Sequence, residues 1–480
     1  MQIESGEAAS ASSQPGGAGT SLWASLREAI RGSSSRDYTS GSIDRAIFML
    51  SVPMVLEMCM ESLFGVVDIF WVAKLGKDAM TAAALTEATL AILFAVAMGL
   101  SMGTTAIVAR RTGEKRPEEA SVAAVQGILA AATVSVIVGI LGILYAPRIL
   151  EVMGGSAQVV EQGQGFTRTI YGGSATILLL FLLNAVFRGS GDAATAMRSL
   201  WLANAINIVL NPLLIFGIGP FPRLGVTGSA IGTTIGRGAG VIYQLYILFQ
   251  GRGRIKIGAG QFRLDPPVMG RLLKLSLGGL FQYLIPTGSW TALVRMTATF
   301  GSASVAGYLL AVRILIFALL PSWGMSNAAA TLVGQNLGAG KPDRAEKSAW
   351  RAGFCNMIFL GIVGAIFVIF APVLVGWFVY DPEVTAVALT ALRLFAAGNM
   401  CYAYGMVLAQ SFSGAGDTRT PTYINFFCYW MFQIPLAYVL AFKAGMGTTG
   451  VLVAVPIAES VLAAISIVLF RRGKWKLKEV

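Results

Sequence analysis

Apolar segments long enough to cross a bilayer recur along almost the whole chain, and this recurrence limits the fold more than any motif does. Spanning the hydrocarbon takes about 20 residues of helix. Segments of that kind lie near 45–73, 80–108, 120–145, 160–187, 193–218, 225–250, 270–299, 304–333, 348–371, 384–412, 419–442 and 449–470, twelve in all. Charged residues make up only 12% of the chain, against about 25% in soluble proteins. The expected fold is an all-α polytopic membrane protein with little chain left for a soluble domain. Residues 1–40, rich in Ser, Gly and Ala, read as a disordered cytoplasmic tail in which 21–32 has the pattern of a short interfacial helix. No basic region, apolar core and cleavage site in series precedes the first span. Residues 471–480 read as a basic cytoplasmic tail.

The two halves of the chain repeat. Phe187-Arg-Gly-Ser-Gly-Asp192 matches Phe412-Ser-Gly-Ala-Gly-Asp417, 225 positions on. The same offset aligns Gly99 with Gly324, Gly113 with Gly338 and Pro117 with Pro342; after a small slip, Gly225 aligns with Gly447 at 222. The longest connection, 251–268, divides the spans six and six. Expected are bundles at 41–250 and 269–470 joined by a cytoplasmic linker. An even number of spans per repeat gives the halves parallel topology, related by a pseudo-two-fold along the membrane normal, and such duplicated halves are a transporter architecture.

Charge sets the orientation. The chain holds 36 Lys and Arg, and its net charge is +12. Most of the 36 fall in the tails and in the loops on the same side as them. Only Lys74, Lys77, Arg148, Arg223 and Lys443 fall in the opposite loops, and Arg168, Arg237, Arg295, Arg313 and Arg393 lie within apolar segments. The positive-inside rule puts both termini in the cytoplasm of a cell whose inner membrane holds the chain. It also accounts for the basic balance without a nucleic-acid partner. There is no histidine, and Cys59, Cys355, Cys401 and Cys428 all sit in apolar segments. They read as buried apolar side chains, not as a metal site.

The first span carries Glu57, Glu61 and Asp68, which fall within about 40° of one another on a helical wheel. An ionised group at the bilayer centre costs at least about 2.5 kcal/mol, so these acids face a protein interior or a wet cavity. Permanent pairing with buried arginines is the plainer reading; binding of a coupling ion is the functional one. Pro53 removes a backbone hydrogen bond and makes a bend expected there. In the fifth span, Asn207 and Asn211 lie at i and i+4 on one face. Their amides suit a carboxylate or a hard cation such as Na⁺, or equally a helix–helix contact; Thr233 of the sixth span adds a hydroxyl. Asp192 and Asp417, each followed three residues on by Thr, read as helix caps.

These residues resemble the multidrug and toxic compound extrusion family, nearest its DinF-like branch. The resemblance rests on Val67-Asp-Ile-Phe-Trp-Val-Ala-Lys-Leu-Gly76 with Pro53 upstream, on Asn207-Ile-Val-Leu-Asn-Pro212 and on Gly414-Ala-Gly-Asp-Thr418, and covers about 45–470. It implies two six-helix bundles in a V, alternately open to each side, exporting drugs or organic cations against an inward H⁺ or Na⁺ gradient, with no cofactor. It implies Asp68 as the coupling carboxylate, Asn207 as its polar partner and Pro53 as the bend. One departure is plain: Asn211 stands where the branch usually has a second Asp. Either Glu61 or Glu57 replaces that acid, or Asp68 couples alone. The offset puts Gln282 opposite Glu57 and Leu293 opposite Asp68, so the coupling ion is expected in the N-terminal half, at Asp68 and Asn207 if it is Na⁺. Phe64, Met98, Gln282, Tyr283 and Trp290 are candidates for an adaptable cavity wall. A lipid-linked oligosaccharide flippase of the wider superfamily is the alternative, given the five arginines in apolar segments. A membrane-embedded enzyme lacks a histidine base and a metal cluster. A monomer in the lipid bilayer is expected.

Overall fold

The computed structural model describes residues 22–32 and 36–480. Residues 1–21 and 33–35 of the expected tail lie outside these. The described part of that segment is ordered: α1 (Leu22–Arg31) is an amphipathic helix packed on the first span, with Trp23 exposed and Ala29 buried.

Six spans form each lobe. The first lobe has α2 (Ile43–Ala73), α3 (Lys77–Gly113), α4 (Pro117–Val152), a broken span of α5 (Ala157–Gly172) and α6 (Ser174–Ser190), α7 (Ala193–Phe216) and α8 (Val226–Gln250). The second has α9 (Pro266–Ala298), α10 (Ser302–Gly338), α11 (Pro342–Gly376), α12 (Pro382–Gly414), a span made of α13 (Arg419–Asn425), a π-helical stretch Phe426–Gln433, α14 (Ile434–Tyr438) and a second π-helical stretch Val439–Lys443, and finally α15 (Thr448–Arg471). Among the described residues there is no strand. Nine spans are apolar enough to cross on length and hydropathy alone, and the pair α5–α6, bent by 41° at Gly173, makes a tenth. The remaining two, α8 and α9, are more polar because they carry Thr233, Arg237, Gln282 and Arg295. The expected bend at Pro53 is not a break: α2 runs unbroken through it.

The Asp caps form as the sequence suggests. Thr195 donates its backbone N–H and its hydroxyl to Asp192 at 3.3 and 2.8 Å, and Thr420 repeats this on Asp417 at 3.4 and 2.7 Å. The glycine before each, Gly191 and Gly416, has φ of 87° in both copies, a turn open to glycine at little cost. Three cysteines depart from expectation: Cys59 and Cys401 are exposed and Cys355 is half-buried; only Cys428 is buried.

The lobes meet in the halves of their helices nearest the termini. Lipid is as apolar as Leu, so close packing of small residues joins membrane helices. Gly113 lies against the backbone of Gln335, and Gly338 against that of Arg110. These contacts are mirror images, because 110 and 335, like 113 and 338, are 225 apart. Gly99 meets Ser276 and Leu280, as Gly324 meets Met54 and Val55. Gly334 faces Ala109, its own counterpart, so the pseudo-two-fold passes between them. Thr331 and Gln335 add hydrogen bonds across the seam to the carbonyls of Arg188 and Gly189, at 3.2 and 2.9 Å.

The connecting segments reinforce this end. The linker is docked, with Ile255 and Ile257 buried in the core of the first lobe and Gln126 bonded to the backbone of Arg263 and Asp265. The C-terminal tail is also held. Trp475 is fully buried and stacks on Phe470 at 4.4 Å. Arg110 and Arg111 of the first lobe donate to the carbonyls of Lys478 and Val480, while Lys476 pairs with Glu346 and Lys478 with Asp417 of the second. On the N-terminal side, Lys341 and Arg344 bond the carbonyls of Thr39, Ser40 and Gly41. Burial of Asp37 in this turn works against its charge, but bonds from Thr39 and Ser40 and the nearby Lys341 win and hold the carboxyl below its usual range.

Candidate carboxylate site in the first lobe

The site is built by close approach of α7 and α8. Glycines at 228, 232, 236 and 240 recur every four residues along one face of α8, against Leu214, Asn211, Ala203 and Ser199 of α7. Without side chains there, the polar residues of the two helices interleave. Asn207 and Asn211 bond each other reciprocally at 3.2 and 3.3 Å, and Asn207 Nδ2 donates to Thr233 Oγ1 at 2.9 Å. Trp201 and Asn204 donate to the carbonyls of Leu56 and Met60, which fastens α7 to α2.

Asp68 of α2 completes the group. Its Oδ1 accepts from Asn211 Nδ2 at 2.8 Å and from Ser229 Oγ at 2.7 Å. Oδ2 has no hydrogen bond among the described residues, and the residue is half-buried. One oxygen is thus held by two donors while the other has none among the described residues. Ser229 carries no sequence signal beyond its place one helical turn before Thr233. Glu87 of α3 likewise carries no such signal; it is exposed in electrostatic range of Asp68, Arg237 and, in the second lobe, Arg313.

The acidic stripe of α2 does not act as one cluster. Glu57 is fully buried and bonds Arg188 Nη1 at 2.6 Å and Asn184 Nδ2 at 3.0 Å, with Gln244 bonded to Asn184 in turn at 2.5 Å. It shares no partner with Asp68, and Arg188, read from sequence as a loop cation, is buried inside the lobe. Glu61 lies 3.8 Å from Arg237, whose guanidinium stands 5.2 Å over the Phe64 ring. A helix face of three acids needs a counter-charge for each acid not ringed by neutral donors, and α6 and α8 supply one to each of the two glutamates.

Several cavity candidates are engaged elsewhere. Phe64 is buried beneath Arg237. Gln282 is taken up within the second lobe, donating to the Thr418 carbonyl at 3.0 Å and accepting from Ser413 at 3.2 Å. Trp290 packs against the second-lobe core. Met98 and Tyr283 are half-buried, Met98 beside the Gly99 crossing.

Two six-helix lobes around a pseudo-two-fold, with a carboxylate held inside one of them, define a class: membrane transporters built from duplicated halves. The sequence matches the MatE family profile over residues 53–213 and 280–439, one stretch in each lobe. The chain belongs to this family of multidrug transporters. It is 23% identical over 444 residues to the probable multidrug resistance protein YoeA of Bacillus subtilis, covering 92% of this chain and 96% of that one. It is 24% identical over 425 residues to the FAD transporter of Shewanella oneidensis, covering 88% and 92%. A multidrug resistance transporter solved in an outward-facing conformation superimposes with a TM-score of 0.86 at 25% identity, covering 92% of this chain and 98% of that one.

Proposed function

We propose that the protein is an ion-coupled exporter of small organic, cationic compounds, with Asp68 as its coupling carboxylate and the proton as its ion. The observation that carries this reading is the asymmetry at Asp68: Oδ1 held by Asn211 and Ser229, Oδ2 with no hydrogen bond among the described residues. Donors on one oxygen stabilise the charged form, and the free oxygen takes a proton from water entering between the lobes. Protonation removes the cost of burying the charge and favours a state in which the cleft has closed around the site. Drug and proton then compete because each favours a different conformer. Na⁺ would need oxygens facing it where Asn211 presents its amide nitrogen.

On this reading Glu57 and Glu61 keep the lobe together through their arginines, and the second carboxylate that Asn211 removes is not replaced in the first lobe. The basic end where the lobes are sealed faces the cytoplasm on this reading. The protein acts as a carrier and not as an enzyme. A flippase that holds pyrophosphate needs free cations in the cavity, and Arg237 is committed to Glu61 and Phe64. The test is ethidium efflux with a pH gradient and a Na⁺ gradient imposed separately, for wild type and Asp68→Asn. Expected is efflux driven by the pH gradient and lost in the variant. Efflux driven by Na⁺ alone, or unchanged in Asp68→Asn, overturns the reading.

A further inference from the structure

The second lobe holds an acid that the carboxylate site does not use. Glu459 lies inside the apolar span α15 and is 7% exposed. Every other deeply buried charged side chain among the described residues has a partner: Glu57 pairs with Arg188, Arg237 with Glu61, Asp192 and Asp417 cap helices, and Arg110 donates to a carbonyl. Glu459 has no hydrogen bond and no ion pair among the described residues.

Its neighbours include a glycine and three phenols. Gly398 of α12 faces it closely enough that a Cβ there would stand 3.6 Å from Oε2. Three phenols lie in electrostatic range: Tyr308 of α10, Tyr402 of α12 and Tyr429 of the π-helical stretch. No charged side chain faces it from these elements. The repeat adds a second, independent observation. At the 222-residue offset that pairs Gly225 with Gly447, Glu459 is the counterpart of Arg237. The same place in the sixth helix of each lobe holds a cation against acids in one copy and an acid among phenols in the other.

An isolated carboxylate in an apolar interior does not stay ionised; it neutralises. No group of three His, Cys, Asp or Glu among the described residues makes a metal cage there. We propose that Glu459 is a second proton-binding site, placed in the C-terminal lobe, protonated in this conformation and exchanging its proton with water when the lobe rearranges. The proton leaves the carboxyl for water, and the phenols of Tyr308, Tyr402 and Tyr429 lie in electrostatic range of the carboxylate left behind. Its part in coupling rests on the proposed function; its protonation does not.

The experiment is infrared difference spectroscopy of the full-length protein in lipid across a pH titration, comparing wild type, Asp68→Asn and Glu459→Gln. Expected is a carboxylic-acid carbonyl band that persists in Asp68→Asn, is lost in Glu459→Gln and fades as pH rises. Identical bands in wild type and Glu459→Gln overturn the proposal, as does a band that Na⁺ removes at constant pH. Should Glu459→Gln fail to fold, Tyr402→Phe must shift the band, and an unshifted band overturns the proposal equally. Efflux without any pH-gradient dependence in wild type, with the band present, refutes proton coupling but leaves the site standing.

Discussion

Arg188→Met should be among the most destabilising substitutions in the first lobe. It strands the fully buried carboxylate of Glu57, whose Oε1 lies 2.6 Å from Arg188 Nη1. At an effective dielectric of about 20, unit charges at that distance attract by about 6 kcal/mol. Desolvation offsets part of this, and removing one partner of a buried pair costs about 3–5 kcal/mol. Asn184 remains as a donor to Glu57, which places the expected loss at the lower end, about 3 kcal/mol. Replacing both partners with apolar residues of similar size, Glu57→Leu with Arg188→Met, should recover most of that loss, because no charge is left alone. The assay is unfolding of the purified protein in micelles, read as a double-mutant cycle. Glu57→Gln is then tested for pH-gradient-driven efflux, which it should retain. Additive effects in the cycle refute the permanent pair. So does a Glu57→Gln protein that is stable but no longer responds to the gradient, since that outcome puts Glu57 in the coupling site.

Three further outcomes are expected. Gly338→Leu and its mirror Gly113→Leu should wedge the lobe seam and raise labelling of cysteines placed at Ala109 or Ala330 from the sealed end, whereas Gly376→Ala, with nothing within 4 Å of an added Cβ, should leave labelling unchanged. Trp475→Ala should lower stability by about 3–5 kcal/mol, seen as a lower melting temperature and faster proteolysis of the C-terminal tail. The turn around Asp37 should loosen under acid. A carboxyl held below its ordinary value of 3.8 contributes stability present above that value and lost as pH falls through and below it, so backbone hydrogen exchange at Thr39 and Ser40, referenced to α3, should speed up there.

The twelve spans, the duplication and the Asp caps were legible because each depends on local pattern: apolar run length, a constant offset, or an Asp three residues before a Thr. The partners of the acids were not. Glu57, Glu61 and Asp68 share a wheel face, but what each touches depends on how deep α6 and α8 set Arg188, Arg237 and Ser229, and a wheel carries no depth. Arg188 read as a loop cation because it sits next to Gly-Ser-Gly-Asp, yet its side chain turns back into the lobe. Polar and aromatic residues suit a cavity wall, which is why Gln282 and Trp290 read as part of one; yet Gln282 bonds Ser413, Thr418 and Asn425, far along the chain, and Trp290 packs on the second-lobe core. Glu459 carries no sequence signal, because a single acid in a span has no pattern and the first-helix stripe has no counterpart in the second half.

The mirrored contacts at the seam have an evolutionary and a practical side. Gly113 on Gln335 with Gly338 on Arg110, and Ala109 facing Gly334 on the axis, form the self-complementary patch of a two-fold homodimer, here written twice into one polypeptide. An ancestral half of six helices, pairing with a copy of itself, would have closed the same seam. The modern halves have since diverged where symmetry is not required, so that one sixth helix carries an arginine and the other a glutamate. Expressed as two separate chains divided within 251–265, they should find each other in the membrane, and two copies of the first half alone should still recognise one another at the seam while bringing together two Asp68 sites.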